Sequence, residues 1–449
     1  MKKGILWMAL CAAVNTAHAG GLMTNTNYHI AFDRMMARGA TFDIDAAYSN
    51  PAGTVWGHEG WQLSLNFQKP WQNRDIKLTT TALEKTFEGK ASAPIVPALF
   101  ATYKKDRWAI SSMIGIVGSG GFVKYADGVP QYNLMVTNAL TKLNQLPGVN
   151  MPEGSYTLNS EMKGKQYIYG GQVNFSYKIL DCLSAAVGFR ANYYDGYYRG
   201  HVIAGGHATY GDAATMLIDV DQKGWGFTPI VAADFHMGAF TFAARYEFRT
   251  KVNPKNDTNI LFADLGSALK AKVAAIPGYG PAALKEMGTA LTAAKAPFED
   301  GVRTRYDMPA LLAVAAGYEF TPKLRATLEY HFFDDKNAKM ANDRQKELKH
   351  GTHELLAGVE WDINEKFTVS CGGQRTDYGL SDGYEQNTSF ACDSWSIGFG
   401  GAWNINQHIR LNAGYFCSLY SDYKKATTYG TETYSRTNHV IGLGIDYRF

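Results

Sequence analysis

Ile441-Gly442-Leu443-Gly444-Ile445-Asp446-Tyr447-Arg448-Phe449 is the stretch that decides the fold. Apolar and aromatic residues hold the odd positions, and Gly, Asp and Arg hold the even ones. A β-strand sends successive side chains to opposite faces, so this stretch is a strand with one greasy side and one wet side. The pattern recurs upstream. Trp395, Ile397, Phe399 and Trp403 alternate with Ser394, Ser396, Gly398 and Gly400. Leu324, Ala326, Leu328, Tyr330 and Phe332 alternate with Arg325, Thr327, Glu329 and His331. Phe240, Phe242, Ala244, Tyr246 and Phe248 alternate with Thr241, Arg245, Glu247 and Arg249. Leu183, Ala185, Val187, Phe189 and Ala191 alternate with Ser184, Gly188, Arg190 and Asn192.

A soluble sheet wets its outer face, whereas a membrane barrel wets its lumen and turns its aromatic face to lipid. Alternation alone does not separate the two. The chain start does: Lys2 and Lys3 precede an apolar run from Ile5 to Val14, and Ala17-His18-Ala19 follows. This is the pattern of a secretory signal over 1–19, cleaved before Gly20, and its apolar run is too short for a membrane anchor. Cys11 follows Leu10, a poor lipoprotein site, and belongs to the removed peptide. Phe449, a terminal aromatic on an alternating strand, resembles the signal read by the outer-membrane barrel assembly machinery. Together these select an all-β, antiparallel transmembrane β-barrel in a bacterial outer membrane.

Composition agrees. The 449 residues include 27 Tyr, 23 Phe, 9 Trp and 46 Gly, as aromatic girdles and tight strand packing require. No later stretch reaches 18 consecutive apolar residues, and the mean hydropathy of −0.24 excludes a helical membrane protein. A net charge of +3 gives no case for nucleic acid. Four cysteines remain after cleavage, with no CxxC spacing, and Cys392 and Cys417 fall on strands expected to be neighbours.

Connection lengths give number and orientation. Short turns are expected at Lys105-Asp106, Leu180-Asp181, Met237-Gly238, Thr321-Pro322, Asn364-Glu365 and Asn406-Gln407. Long connections are expected at about 69–91, 118–165, 196–222, 251–303, 335–350, 378–390 and 422–434. Tight periplasmic turns alternating with long outer loops give about 14 strands over 59–449. Two outer loops carry helical spacing: Leu134, Met135, Ala139, Leu140, Leu143 and Leu146 in one, and Ile260, Leu261, Leu265, Leu269 and Val273 in the other. Ala282, Leu284, Met287 and Leu291 follow, beyond a break at Gly278-Tyr279-Gly280-Pro281. Such apolar faces pack on each other, gather apolar ligands, or do both.

Residues 20–58 precede the first alternation, at Trp61, Leu63, Leu65 and Phe67. They are too rich in apolar and turn residues for a disordered tail, and their size suits a plug. Here Asp45-Ala46-Ala47-Tyr48-Ser49-Asn50-Pro51-Ala52-Gly53, running into the strand near Gly60, resembles the N-terminal hatch of the FadL/TodX family, outer-membrane transporters of long-chain fatty acids and aromatic hydrocarbons. The most specific element is Asn50-Pro51-Ala52. The resemblance implies a barrel of about 14 strands plugged by a hatch over 20–58. It implies a capture groove between the helical loops at about 118–165 and 251–303, with Leu134, Leu140, Leu143, Leu261, Leu265 and Leu269 as candidates. It also implies a tighter site beside the hatch, and a lateral exit opened by hatch rearrangement and an inward kink of the third strand. That strand ends Ile114-Gly115-Ile116-Val117-Gly118-Ser119-Gly120-Gly121, and Gly115, Gly118, Gly120 and Gly121 suit a bend, or equally a glycine-rich loop entrance.

The lumen face offers Arg190, Arg245, Arg249 and Arg325 as ligand carboxylate candidates, or as rungs of a charge ladder. Leu311, Ala313 and Ala315 are apolar where the face should be wet, which suggests a greasy patch or a packed hatch. No catalytic residues, metal ligands or cofactor are indicated: His353-Glu354 lacks the second His of a zinc helix, and Gly442-x-Gly444 is strand packing. The expected partners are a hydrophobic small molecule, outer-membrane lipid and the assembly machinery, for a monomer. A general diffusion porin and a barrel enzyme are the alternatives.

Overall fold

The computed structural model describes residues 22–81, 84–93 and 95–449, so the expected signal at 1–19 lies outside the described residues. Fourteen antiparallel strands close into a barrel. β1 is Gly60–Thr79. β2 runs in three pieces against it: Glu84–Phe87, Gly89–Ser92 and Val96–Lys105. β3 is Trp108–Tyr125, β4 Thr157–Leu180, β5 Leu183–Gly205 and β6 Ala214–Met237. β7 has two pieces, Phe240–Glu247 and Lys255–Leu265, both paired to β6. β8 is Leu311–Thr321, β9 Leu324–Phe333, β10 Thr352–Asp362, β11 Phe367–Asp377 and β12 Ser394–Asn404. β13 is Ile409–Tyr420, continued by Tyr423–Thr427, and β14 is Gly430–Arg448. Pairing of β14 with β1, from Gln62↔Arg448 to Thr79↔Thr431, closes the cylinder.

The side-chain period sorts the two environments. Ile441, Leu443, Ile445 and Tyr447 point outward and are exposed, as are Trp395, Ile397, Phe399 and Trp403; Asp446, Ser396 and Asn412 face inward and are buried. The turns Asp106-Arg107, Asp181-Cys182 and Gly238-Ala239 are tight, with Asp106 and Gly238 at positive φ.

The long connections are shorter than expected because the strands outrun the membrane. β4 has 24 residues, roughly 80 Å at ~3.3 Å per residue, where spanning takes ~9–11. Beyond the aromatic belt the outward face turns charged, and ladders such as Lys124–Glu161–Lys163 and Arg199–Asp219 hold the pairing together. The connection expected at 196–222 is therefore a hairpin whose strands end at Gly205 and restart at Ala214. Ile260, Leu261 and Leu265 likewise lie on β7 rather than on a helix. Helices α3 (Pro130–Asn144), α4 (Ser267–Ala274) and α5 (Gly280–Lys295) follow the N-terminal helices α1 (Ile30–Met35) and α2 (Ala46–Ser49). Cys182, Cys371, Cys392 and Cys417 are free: Cys392 lies before β12, while Cys417 pairs with Ile397 inside it.

Candidate functional site

Residues 22–56 lie inside the barrel, nearly all buried. Their backbone is irregular, so its polar groups need partners from the wall, and the inward polar residues supply them. Asn66 Oδ1 accepts from Ile30 N (3.1 Å), and Gln68 Nε2 donates to Asn27 O (2.7 Å). Glu329 Oε2 accepts from both Arg38 N and Gly39 N (2.8 Å each). Asn174 Nδ2 donates to Ala47 O (2.9 Å). Arg34 pairs with Glu360 and reaches Ser370 Oγ (2.7 Å), while Arg38 grips Asp45 through Nε (2.7 Å) and Nη2 (2.9 Å).

Asn50-Pro51-Ala52 docks on β4, β5 and β6. Asn50 Nδ2 donates to Asp234 Oδ2 (3.2 Å). Pro51 O accepts from Ser176 Oγ and Ala52 O from Ser184 Oγ, both at 2.7 Å. Pro51 starts a 3-10 turn, Pro51–Trp56, where its missing N–H costs nothing. Ala52 packs on Ala186 and Ala232.

On the opposite wall α1 lies against glycines. A Cβ at Gly358 or Gly372 would overlap the carbonyl oxygen of Met35, and one at Gly398 that of Asp33. A Cβ at Gly414 would stand 3.1 Å from Ile30 O. Backbone meets backbone because no side chain intervenes. Ala315 belongs to the same contact surface: a Cβ on Gly39 would lie 2.7 Å from its own. The apolar inward face of β8 (Leu311, Ala313, Ala315) is thus covered, with Leu311 and Ala313 packed on Phe333.

Among the described residues, the β2–β3 ladder is interrupted beside this segment. Pairing of β2 with β3 ends at Leu99↔Ile114 and resumes at Ala91↔Val123. Across it β3 gains two residues on β4, with register shifts between Ile116 and Gly118 and between Gly118 and Gly121. Val117 and Gly118 both face inward there. Val117 O accepts from Asn25 N (3.1 Å) and from the Tyr28 hydroxyl (3.1 Å). Gly118 has no room for a Cβ beside Met23 O, and Gly121 is at φ +65°. A narrow opening occupies the gap, walled by Pro70, Ala93, Pro97, Ala98, Ile116 and Phe122 among others. Of the four glycines singled out in the sequence, Gly118, Gly120 and Gly121 lie in the bulge, and Gly115 stands just before it. The half of the gap on β2 was missed, although Pro97 there and Pro70 on the adjoining β1 lack the N–H that a paired strand donates.

The outer loops form a second apolar region. Leu140, Leu143, Leu265 and Leu269 are buried in one cluster, with Leu134 and Leu261 packed against it. Burying each of these side chains is worth roughly 1.5–3 kcal/mol, enough to hold the helices on the rim. An open groove remains beside them, lined by Tyr132, Met162, Val202, Met216, Ile218 and Phe298 among others; of the six leucines, Leu261 alone reaches it.

The basic candidates part company. Arg190 and Arg245 share Glu247, and Arg245 also donates to Tyr48 O. Arg325 pairs with Glu360 and Asp362. Arg249 is not on the lumen face: the first piece of β7 ends at Glu247, alternation lapses, and Arg249 is exposed and donates to Asn337 O (2.6 Å).

Residues 265–449 match the outer membrane protein beta-barrel domain family. No curated protein matches the chain in sequence. Among solved structures, a Pseudomonas aeruginosa FadL homologue is similar with a TM-score of 0.67, at 14% identity, over 97% of this chain and 99% of that one. The Pseudomonas putida toluene transporter TodX follows at 0.58, 14% identity, and 91% and 95% coverage. The Ralstonia pickettii toluene transporter TbuX is similar at 0.53, 14% identity, and 90% and 94%. In fold, this chain is an outer-membrane β-barrel of the FadL/TodX type.

Proposed function

We propose that the chain carries hydrophobic small molecules across the outer membrane. It collects them in the groove between the outer loops and passes them sideways through the gap between β2 and β3, past a plug formed by the N-terminal segment. Long-chain fatty acids or molecules of similar build are the cargo. The observation that carries this reading is the interrupted β2–β3 ladder: an apolar cavity opens through the wall at the level of the outward-facing Phe67 and Trp71, beside a lumen occupied by residues 22–56. A water-soluble solute gains nothing from a side door into lipid, whereas an apolar one moves down its own transfer free energy. The toluene named for TodX and TbuX is a cargo of that kind.

Two substitutions test it. Ala98 lines the cavity and is buried, so Ala98→Trp fills the gap without touching the loops. Uptake of labelled long-chain fatty acid should fall at least about tenfold, with the compact barrel still seen by its heat-modifiable gel mobility; undiminished uptake overturns the lateral route. Replacing Asn50 and Pro51 together removes the hydrogen bond to Asp234 and the ring that sets the start of the 3-10 turn, and should also impair uptake with the barrel intact. Normal uptake in that variant removes the plug from the pathway.

A further inference from the structure

Ala93 and Ile95, between the second and third pieces of β2, have no strand partner on either side. Pairing of β2 with β1 stops at Trp71↔Ser92 and resumes at Gln68↔Val96. Pairing with β3 stops at Ala91↔Val123 and resumes at Leu99↔Ile114. Between the two β1 pairs, β1 advances three residues and β2 four, so β2 carries one residue too many for the ladder there. Pro70, on the facing stretch of β1, has no N–H to offer. The break lies at the level of Phe67 and Trp71, both exposed on the outward face, where lipid supplies no hydrogen bonds either.

Lys69 meets this need from an unusual place. Alternation along β1 puts its side chain on the lipid face between Phe67 and Trp71. A lysine there costs free energy, more so the deeper it lies, and its cross-strand partner on β14 is Ile441, which offers no counter-charge. Its Nζ donates to Ala93 O (2.9 Å). Without that bond the carbonyl faces hydrocarbon, and the donors left to it are N–H groups of β3, across the gap. Ala93 itself lines the opening. A tie from β1 therefore draws the loose part of β2 away from β3. The opposite lip is held separately, by the plug: Val117 O accepts from Asn25 N and from the Tyr28 hydroxyl, both at 3.1 Å.

We propose that Lys69 is a positioning residue that keeps the wall open: its ammonium group caps Ala93 O, stops β2 from completing its ladder with β3, and so preserves the lateral exit. This rests on the transport reading above and adds to it the side chain that prevents the exit from closing by strand pairing.

The test compares the full chain with two variants at this position. Lys69→Met keeps the length of the side chain and removes the donor. Uptake of labelled long-chain fatty acid should fall about tenfold, the population shift that one charge-assisted hydrogen bond is worth. Lys69→Arg keeps a donor and should restore most of the uptake. A lysine with a merely structural role would not produce the second signature, amide exchange across residues 92–98 of the detergent-purified protein. Exchange there should slow in K69M as β2 pairs with β3, and the midpoint for loss of the compact gel form should not fall. Unchanged uptake in K69M overturns the inference and leaves lateral transport standing. Faster exchange across 92–98 with a lower midpoint makes Lys69 a structural cap alone and overturns it too, whatever the uptake. Undiminished uptake in Ala98→Trp, which fills the gap, brings down the lateral route and this inference with it. One measurement needs no variant: in the unaltered chain the amides of Ala93 and Ile95 should exchange ahead of those of the paired Leu99 and Phe100. Equal protection would mean a ladder already closed, and overturns the inference even where K69M does not fold.

Discussion

The most exacting positions are glycines. Gly358, Gly372, Gly398, Gly400 and Gly414 present bare backbone to α1, and at Gly372 a single added methyl would occupy the space of Met35 O. Backbone cannot swing aside as a side chain does, so the helix must shift off the wall or the strand must bend. Gly372→Ala should therefore destabilise the docked N-terminal segment by about 1–3 kcal/mol. A lower midpoint for loss of the compact gel form, or faster proteolysis within residues 22–56, reads this out. Gly373 is the internal control: a Cβ there meets only Ser396 O at 3.5 Å, so Gly373→Ala should be neutral. Equal effects at both positions would mean that generic strand stiffness, rather than contact with α1, sets the requirement. Nothing local in the sequence separates the two residues. They differ in which face of β11 they occupy, and the packed helix lies more than 300 residues away along the chain, roughly.

At the scale of elements, legibility followed from how local each signal was. Strand faces, short turns and strand number could be read because alternation and turn residues are properties of a few neighbouring residues. Strand lengths could not, since beyond the lipid the outward face of β4–β6 turns charged while Met162, Val202 and Val220 lie buried on the inward one, so the pattern that marks a membrane strand is lost. The glycine-rich end of β3 signalled a bend, but the matching break in β2 depends on which strand lies beside it. The acidic partners of Arg190 and Arg325 were invisible for the same reason. The loop at 378–393 carries a further prediction. Glu385 is buried there, and its carboxyl is pushed up to about 8 by burial, against the lowering influence of Arg344 and Lys425. A carboxyl raised on folding contributes its stability below its unfolded value, near ~4.3, and loses it as the pH climbs through the folded value. The loop should thus loosen as the pH rises from about 4 to 8, seen as faster amide exchange across 378–393 beyond the intrinsic pH effect. Glu385→Gln should flatten that response; an equally steep response in the variant would place its origin in another group.

For the whole molecule the question is whether the lumen is a path or a socket. The buried segment 22–56 is fixed to the wall by polar contacts from β1 round to β14, including His29 to Asp446 (3.1 Å), Arg34 to Glu360, and Asn50 to Asp234. Each partly desolvated bond contributes about 0.5–1.5 kcal/mol and the charged ones more, so their sum holds the segment against thermal escape while leaving single contacts exchangeable. A closed fourteen-stranded wall does not depend on this segment for its ladder hydrogen bonds, since every strand already has two neighbours. Removing residues 22–58 should accordingly leave a barrel that still runs as a compact, heat-modifiable species. Without the plug, the inward polar residues of β9–β14 would line water, and the deletion should pass small ions in planar bilayers at conductances well above the full-length chain. If the two conduct alike, the segment does not close the lumen, and the chain is better described as an open pore. If the deletion conducts strongly but no longer supports uptake of long-chain fatty acid, plug and side opening act together. For an apolar cargo the step from lumen to lipid is downhill whether or not the axial route is open, so closing that route would add a barrier to water-soluble solutes rather than the driving force for lateral exit.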